Sequence, residues 1–304
     1  MDYLKYQVDE AKMLEIKDFY HAESIVDAKQ KYHLFIVHLA NGVIIDGYSS
    51  KKGYTIVFSG VKNRIILEAS LFFQQEANAV KSSSSVIKWD DVEPQIGSDE
   101  VGVGDFFLGF YVCATYLDKD DVSYIDSLGV MDSKKLTDSK IEKIAPLLEK
   151  KIKHFVVRIS PNKLMEMHQK KLSTHMMLVY SHNYAHEQLI KKYHLNNKLT
   201  IYIDQFEKEK TYRKYAGEHI VLNPLVFQTK GESHYPSIAT ASVIARYKFL
   251  EDWQRMEKDL GVTVPKGAGV EVDKTYSQLL KRYNRDKLDK YVKRFFRNYR
   301  KGQD

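Results

Sequence analysis

The sequence predicts an α/β protein in two parts: a small α+β unit at the amino end, then a larger domain in which strands alternate with helices. Three observations carry this. The chain has 304 residues, long for one hydrophobic core when about 150 residues per domain is the working prior. A serine run, Lys81-Ser82-Ser83-Ser84-Ser85, interrupts the apolar pattern with side chains that cannot bury enough surface to hold a place in a core. Beyond it, strand-like apolar runs alternate with helical ones.

In the first part, Ala11, Leu14, Ile16 and Phe19 recur at helical spacing. The apolar runs 32–39 and 43–48 flank Asn41-Gly42, a strong two-residue hairpin signal. Gly53 leads into a third strand, 54–58, closed by Ser59-Gly60, and a second helix follows with Val61, Ile65, Ala69 and Phe72 on one face. The expected unit is helix, three strands, helix, and it contains no cluster of catalytic type.

The second part opens on Gly97-Ser98-Asp99-Glu100-Val101-Gly102-Val103-Gly104-Asp105. Strand interiors are poor in Asp, Glu and Gly, so this block is expected to be a strand end running into a turn. Neighbours in a regular strand point to opposite faces, so Asp99 and Glu100 could share a ligand only where that geometry relaxes. Adjacent carboxylates repel, and the remedies are protonation, water, a basic partner or a divalent cation. Taken alone, the pair reads first as an ordinary charged turn. Only distant partners overturn that.

A strand from Phe106 to Leu117 is expected next, and then a helix opened by Ser139 and Glu142 at capping-box spacing, with Ile141, Ile144, Leu148 and Ile152 inward. Residues 155–159 read as a strand stopped by Pro161. One long helical stretch is expected from about residue 162 to Tyr193, carrying His175, His182 and His186 near one face. The last two, at i and i+4, could bind zinc, but the glutamate of the metalloprotease pattern is missing, because Asn183-Tyr184-Ala185 separates them. Packing and surface roles suit these histidines better. The run 199–203 alternates and ends in Asp204, while Glu232 falls in the loop before a helix from about Ser237 to Leu260, stopped by Gly261. A carboxylate there often only complements the helix amino end.

Composition narrows the class. Apolar content of 43% with 12% aromatics suffices for packed cores; no run approaches the roughly 18 apolar residues of a membrane span, and Met1-Asp2-Tyr3-Leu4-Lys5 lacks the basic and apolar regions of a signal peptide. A soluble, cytoplasmic protein is expected. The single cysteine, Cys113, lies in an apolar run and reads as buried filler rather than nucleophile. Net charge is +7; residues 1–90 carry 11 basic and 11 acidic side chains, leaving 36 basic against 29 acidic in 91–304. The concentration is at the end, where basic residues from Lys281 to Lys301 are interleaved with Tyr283, Tyr291, Phe295, Phe296 and Tyr299. Such a segment is either a surface that attracts phosphates or a helix with an aromatic face packed inward.

Asp99 and Glu100 after one strand, Asp204 after another and Glu232 before a long helix are four carboxylates at positions where α/β folds bring distant residues together. Gathered in one pocket they would favour divalent ions with oxygen ligands, Mg2+ first and Mn2+ second. Beside a basic surface, such a site suits in-line attack of metal-activated water on a phosphodiester. A dinucleotide loop is excluded, because after Gly102 and Gly104 the third glycine would be Phe107 and an apolar strand follows.

In this order, Gly97 to Asp105, Asp132-Ser133-Lys134-Lys135-Leu136-Thr137, Ile203-Asp204-Gln205-Phe206, Thr229-Lys230-Gly231-Glu232-Ser233, Ala241 to Tyr247 and Pro265-Lys266-Gly267-Ala268-Gly269 resemble the bacterial ribonuclease HIII family, type 2 ribonucleases H. The resemblance implies a ribonuclease H-like mixed sheet flanked by helices, preceded by a small α+β domain similar to half of the TATA-binding protein. Domains would run 1–80 for substrate binding and 94–304 for catalysis, with 81–93 as linker. It implies an endoribonuclease acting as a monomer on the RNA strand of RNA/DNA hybrids, leaving 3′-hydroxyl and 5′-phosphate ends, with two ions of Mg2+ or alternatively Mn2+. The metal-holding, catalytic set would be Asp99, Glu100, Asp204 and Glu232; ribonucleases HII carry aspartate at the position matching Glu232. Substrate contacts would come from Gly102, Val103 and Gly104 at the ribose and from Ser133, Lys134 and Lys135 at phosphates. Two departures stand out: Leu108-Gly109 replaces the family's usual Gly-Pro, and residues 168–175 lack its Asn-rich pattern.

Overall fold

The computed structural model describes residues 2–20, 25–26, 32–39, 41–50, 53–73, 89–130 and 136–301. The serine run, and with it most of the expected linker, lies outside the described residues. Two compact units emerge, the first built on the amino-terminal sheet and taking in Ser123–Val130 and 136–144 as well.

The first sheet comprises β1 (Asp2–Val8), β2 (Ile25–Val26), β3 (His33–His38), β4 (Ile44–Ser50) and β5 (Gly53–Gly60), with α1 (Glu10–Phe19) after β1 and α2 (Lys62–Ser70) after β5. Its order is β1-β5-β4-β3-β2, every pair antiparallel. Both expected helices and the hairpin are present. Gly42 takes φ +78° at the turn, and the Leu39 N–H donates to the Val43 carbonyl at 2.9 Å. Asp9 caps α1, accepting from the Lys12 N–H at 2.7 Å. Met13, Ile16, Phe35, Val37, Ile45, Ile56, Phe58 and Ile65 form the core between sheet and helices. Five strands, rather than the expected three, correct the sequence reading; β1 alternates only half-buried Leu4, Tyr6 and Val8 with exposed Lys5 and Gln7, a weak period-2 signal.

The second unit is organised on β6 (Gln95–Val101), β7 (Phe110–Leu117), β8 (Lys153–Ile159), β9 (Thr200–Asp204) and β10 (Leu225–Gln228), in the order β10-β9-β6-β7-β8. Pairs β6–β7 and β7–β8 are antiparallel, β6–β9 and β9–β10 parallel, so the sheet is mixed. The remaining helices of the chain, of which α3 and α4 each fall partly in the first unit, are in order α3 (Lys119–Ser127), α4 (Asp138–Lys151), α5 (Pro161–Gln169), α6 (Thr174–Tyr193), α7 (Glu209–Ala216), α8 (Pro236–Leu260), α9 (Val270–Leu280), α10 (Arg285–Leu288) and α11 (Arg297–Lys301). Helices α6 and α8 pack on the central strands. Buried polar bonds fix α8 against the sheet: Thr115 Oγ1 donates to the Ser237 carbonyl at 2.8 Å, and Ser237 Oγ donates to Gln95 Oε1 at 2.7 Å.

Three expectations beyond the amino-terminal sheet are corrected. β7 begins at Phe110, not Phe106: Leu108 adopts φ +59°, and at Gly109 a Cβ would lie 1.6 Å from the Ile159 carbonyl oxygen, so 106–109 is a tightly packed loop. Thr137, not Ser139, caps α4, its hydroxyl accepting from the Lys140 N–H at 3.1 Å; the inward set Ile141, Ile144, Leu148 and Ile152 is buried as expected. The long helix divides into α5 and α6, because Lys171 turns left-handed at φ +62° and Ser173 caps a new helix, accepting from the Met176 N–H at 3.2 Å.

Candidate active site

The site is built on the carboxyl ends of β6 and β9. Asp99 and Glu100 do not lie in a relaxed turn: β6 stays in register with β7 through Val101, with Asp99 opposite Cys113 and Glu100 opposite Val112. Regular pleating therefore sends them to opposite faces. Asp99 goes towards α8, where Ser242 bonds to its carboxylate, and it also accepts from the Glu100 N–H at 2.7 Å. Glu100 goes towards α6, on the same face as Ser98.

There the histidines of α6 take up a role that spacing did not reveal. Glu100 Oε2 lies 3.0 Å from His182 Nε2, the other ring nitrogen, Nδ1, lies 2.9 Å from Ser98 Oγ, and His186 Nε2 lies 2.8 Å from that same oxygen. Both rings are fully buried. Burial pushes His182 down to about 3, against the pull of Asp204, and holds His186 well below its ordinary value, so both are neutral at physiological pH. A neutral ring donates from one nitrogen only. Since a carboxylate accepts, His182 donates from Nε2 to Glu100, accepts from the Ser98 hydroxyl at Nδ1, and leaves Ser98 Oγ to accept from His186. The donors run one way, from His186 through Ser98 and His182 to Glu100. The zinc alternative is thereby spent, and His175 is a surface residue paired with Glu207 at 2.6 Å.

Asp204 ends β9 and accepts from the Gly231 N–H at 2.8 Å through Oδ1, tying down the short 3-10 turn Gly231–Ser233 that carries Glu232. Glu232 is buried there at 2% exposure. The turn is closed from behind: His234 Nδ1 lies 2.8 Å from Asp90 Oδ2, and the Tyr235 ring stacks on Tyr202 with centroids 3.8 Å apart.

The electrostatics join these parts. Burial, then the charges of Glu100 and of Asp204, raise the Asp99 carboxyl well above the usual carboxylate range. Acids from two strands thus act on one buried carboxyl. The donor set is all oxygen, which suits a hard divalent cation. As the side chains stand, however, Glu100 is turned to His182, Asp204 to Gly231 and Asp99 to Ser242, and among the described residues no three His, Cys, Asp or Glu side chains close round one point as metal ligands. Ser133, Lys134 and Lys135 lie outside the described residues. Cys113 is fully buried, and burial pushes its thiol up, well above its ordinary value, so it stays protonated.

The loop after β6 approaches from one side, with Gly102 buried at φ +86° and Gly104 exposed. The carboxyl-terminal aromatics Tyr283, Tyr291, Phe296 and Tyr299 pack on a cluster around Phe106, Trp253 and Tyr276. Among the described residues no helix is long and apolar enough to cross a membrane.

Residues 96–299 match the family model described as Ribonuclease HII. A ribonuclease HIII of Listeria monocytogenes is 34% identical over 266 residues, 86% of this chain and 85% of that protein. One from Streptococcus pyogenes is 36% identical over 280 residues, 91% of this chain and 90% of that protein. Among solved structures, the crystal structure of Bst-RNase HIII in complex with Mn2+ aligns over 99% of this chain and 98% of its own, at 27% identity and a TM-score of 0.68.

Proposed function

Since the chain belongs to the ribonuclease HIII family of type 2 ribonucleases H, we propose that it hydrolyses the RNA strand of RNA/DNA hybrids internally, with Asp99, Glu100, Asp204 and Glu232 holding two divalent ions. The observation that carries the proposal is the buried Asp99 carboxyl at the end of β6, raised by burial and then by the charges of Glu100 and of Asp204 at the end of β9. Carboxylates that oppose one another in this way are stabilised by a cation.

Bound ions would supply an activated water and neutralise charge on the scissile phosphate. The side chains of this chain do the rest. His182 orients Glu100 with a hydrogen bond that also fixes its own tautomer. The Gly231 N–H holds Asp204, and Glu232 is buried in the short turn that this bond ties down. The Mn2+ in Bst-RNase HIII supports a divalent ion for this chain as well; Mg2+ is the first expectation and Mn2+ the alternative. The products are read as a 3′-hydroxyl and a 5′-phosphate.

Gly102, Val103 and Gly104 are assigned to the ribose, where backbone can meet the 2′-hydroxyl that separates RNA from DNA. Ser133, Lys134 and Lys135 are assigned to phosphates. Residues 1–80 are read as a TATA-binding-protein-like domain that adds affinity for the hybrid, 81–93 as linker and 94–304 as the catalytic domain of a cytoplasmic monomer.

A hybrid with end-labelled RNA tests the proposal. Internal cuts that need Mg2+ or Mn2+, stop in chelator and leave ends a polymerase can extend are expected. Cleavage that persists in chelator, or ends carrying 3′-phosphate, would overturn it.

A further inference from the structure

One member of the basic carboxyl-terminal run is not on the surface at all. Lys293 is 1% exposed. Its ammonium donates to the Gly102 carbonyl at 2.7 Å and to the Asp105 carbonyl, and its own backbone N–H donates to the Phe106 carbonyl at 2.9 Å. One side chain thus grips both ends of the turn that follows the two β6 carboxylates.

Such a placement is costly. Taking an ammonium out of water is strongly unfavourable, and burial here pushes Lys293 down to about 7 despite the attraction of the Asp105 carboxylate. A methionine would escape that penalty and still meet the Phe296 ring, whose centroid lies 5.2 Å from Nζ. What calls for a lysine is the pair of carbonyls.

Fixing those carbonyls fixes the amides beyond them. There is no cis peptide bond among the described residues, and in a trans peptide the C=O and the following N–H point in opposite directions. Anchoring the Gly102 carbonyl on Lys293 therefore aims the Val103 N–H away from the interior. The far end is equally determined: the Phe106 N–H donates to the Gly267 carbonyl at 2.8 Å, and Asp105 Oδ1 accepts from the Gly267 N–H at 2.5 Å. Gly102 itself has no freedom to adjust with a side chain, because a Cβ would lie 2.8 Å from the Gly109 carbonyl oxygen.

We infer that Lys293 is a positioning residue for ribose recognition: its ammonium sets the turn Gly102 to Asp105 so that the Val103 amide faces the sugar of the bound RNA strand. The inference rests on the reading of Gly102 to Gly104 as the ribose-contacting backbone, and it adds a specificity determinant from the far end of the chain.

The test uses the full chain, metal-free in chelator, with labelled RNA/DNA hybrid and DNA/DNA duplex of one sequence, followed by fluorescence anisotropy. Wild type is expected to prefer the hybrid. Lys293→Met, which keeps length and loses both donors, should weaken hybrid binding about fivefold or more while leaving duplex binding within about twofold. Lys293→Gln, whose amide offers two donors without charge, should recover much of the preference. Merely structural damage would lower both affinities together, and that result would overturn the inference. So would an unchanged preference in a folded Lys293→Met protein, or loss of the cooperative thermal transition in both variants, because the lysine would then be holding the fold. Equal affinity of wild type for the two duplexes would refute the reading of the loop itself, and the inference with it.

Discussion

Replacing His182 by leucine removes the hydrogen bond from α6 to the Glu100 carboxylate while keeping an apolar side chain of similar bulk in a fully buried place. Two hydrogen bonds are lost, to Glu100 Oε2 at 3.0 Å and to Ser98 Oγ at 2.9 Å. Ser98 keeps His186 at 2.8 Å, so the loss falls mainly on the carboxylate. A hydrogen bond to a charged group contributes about 1.5–3 kcal/mol and a neutral one about 1 kcal/mol, which sets the cost at about 2–4 kcal/mol. For a unit of this size that corresponds to a fall in melting temperature of about 5–15 °C. An unheld Glu100 should also weaken divalent-metal binding by about 10–100-fold, the usual effect of losing a partner behind a ligand. Differential scanning calorimetry and a calorimetric Mn2+ titration measure the two effects. A His182→Leu protein that melts within about 2 °C of wild type and binds Mn2+ equally well would refute the reasoning that this histidine positions Glu100.

Other consequences are more local. Lys293 sits in the folded chain at about 7, below its ordinary value of about 10.4, so between those values the unfolded state holds a proton that the folded state has released. Its contribution is complete above the unfolded value and is lost as pH falls through 7; urea unfolding of wild type against Lys293→Met should show wild type gaining up to about 1.4 kcal/mol per pH unit from pH 7 to 9. A difference that stays flat would mean that burial does not lower Lys293 towards 7. Gly109→Ala forces a Cβ to within 1.6 Å of the Ile159 carbonyl oxygen and should cost more than about 3 kcal/mol of unfolding free energy, which a near-normal denaturation midpoint would exclude. Tyr212→Phe should be neutral or stabilise by up to about 1 kcal/mol, because the buried Tyr212 hydroxyl has no hydrogen-bond partner among the described residues; a large loss in thermal stability would mean a partner exists.

Local chemistry made much of the fold legible. Asn41-Gly42 announced its hairpin, Gly261 stopped α8 at φ +61°, and the alternation before Asp204 became β9. What escaped the sequence depends on where chain segments meet. The break at Lys171 left the apolar rhythm on both sides intact, so α5 and α6 read as one helix. Leu108 carries a left-handed backbone that its residue type argues against, and only the packing of Gly109 on Ile159 explains the loop. The opposed faces of Asp99 and Glu100 followed from the strand period, but the expectation of a relaxed strand end did not hold, because pairing with β7 continues past both. The four carboxylates were candidates by their places at strand ends and before a helix, and a family resemblance grouped them, whereas His182 and Lys293 could not have come from it or from spacing. Each is defined by a partner more than 80 positions away, and each lies within a run whose general character, helical or basic, concealed it.

The proposed function requires the carboxylates of β6 and β9 as the metal centre that cuts RNA. Single-turnover cleavage of a labelled RNA/DNA hybrid in Mg2+ by Asp99→Asn and Asp204→Asn proteins, beside wild type, tests it most directly. Rates at least about 1000-fold lower are expected for both variants, with hybrid affinity measured in chelator within about threefold of wild type. Wild-type cleavage rates in both purified variants would contradict it.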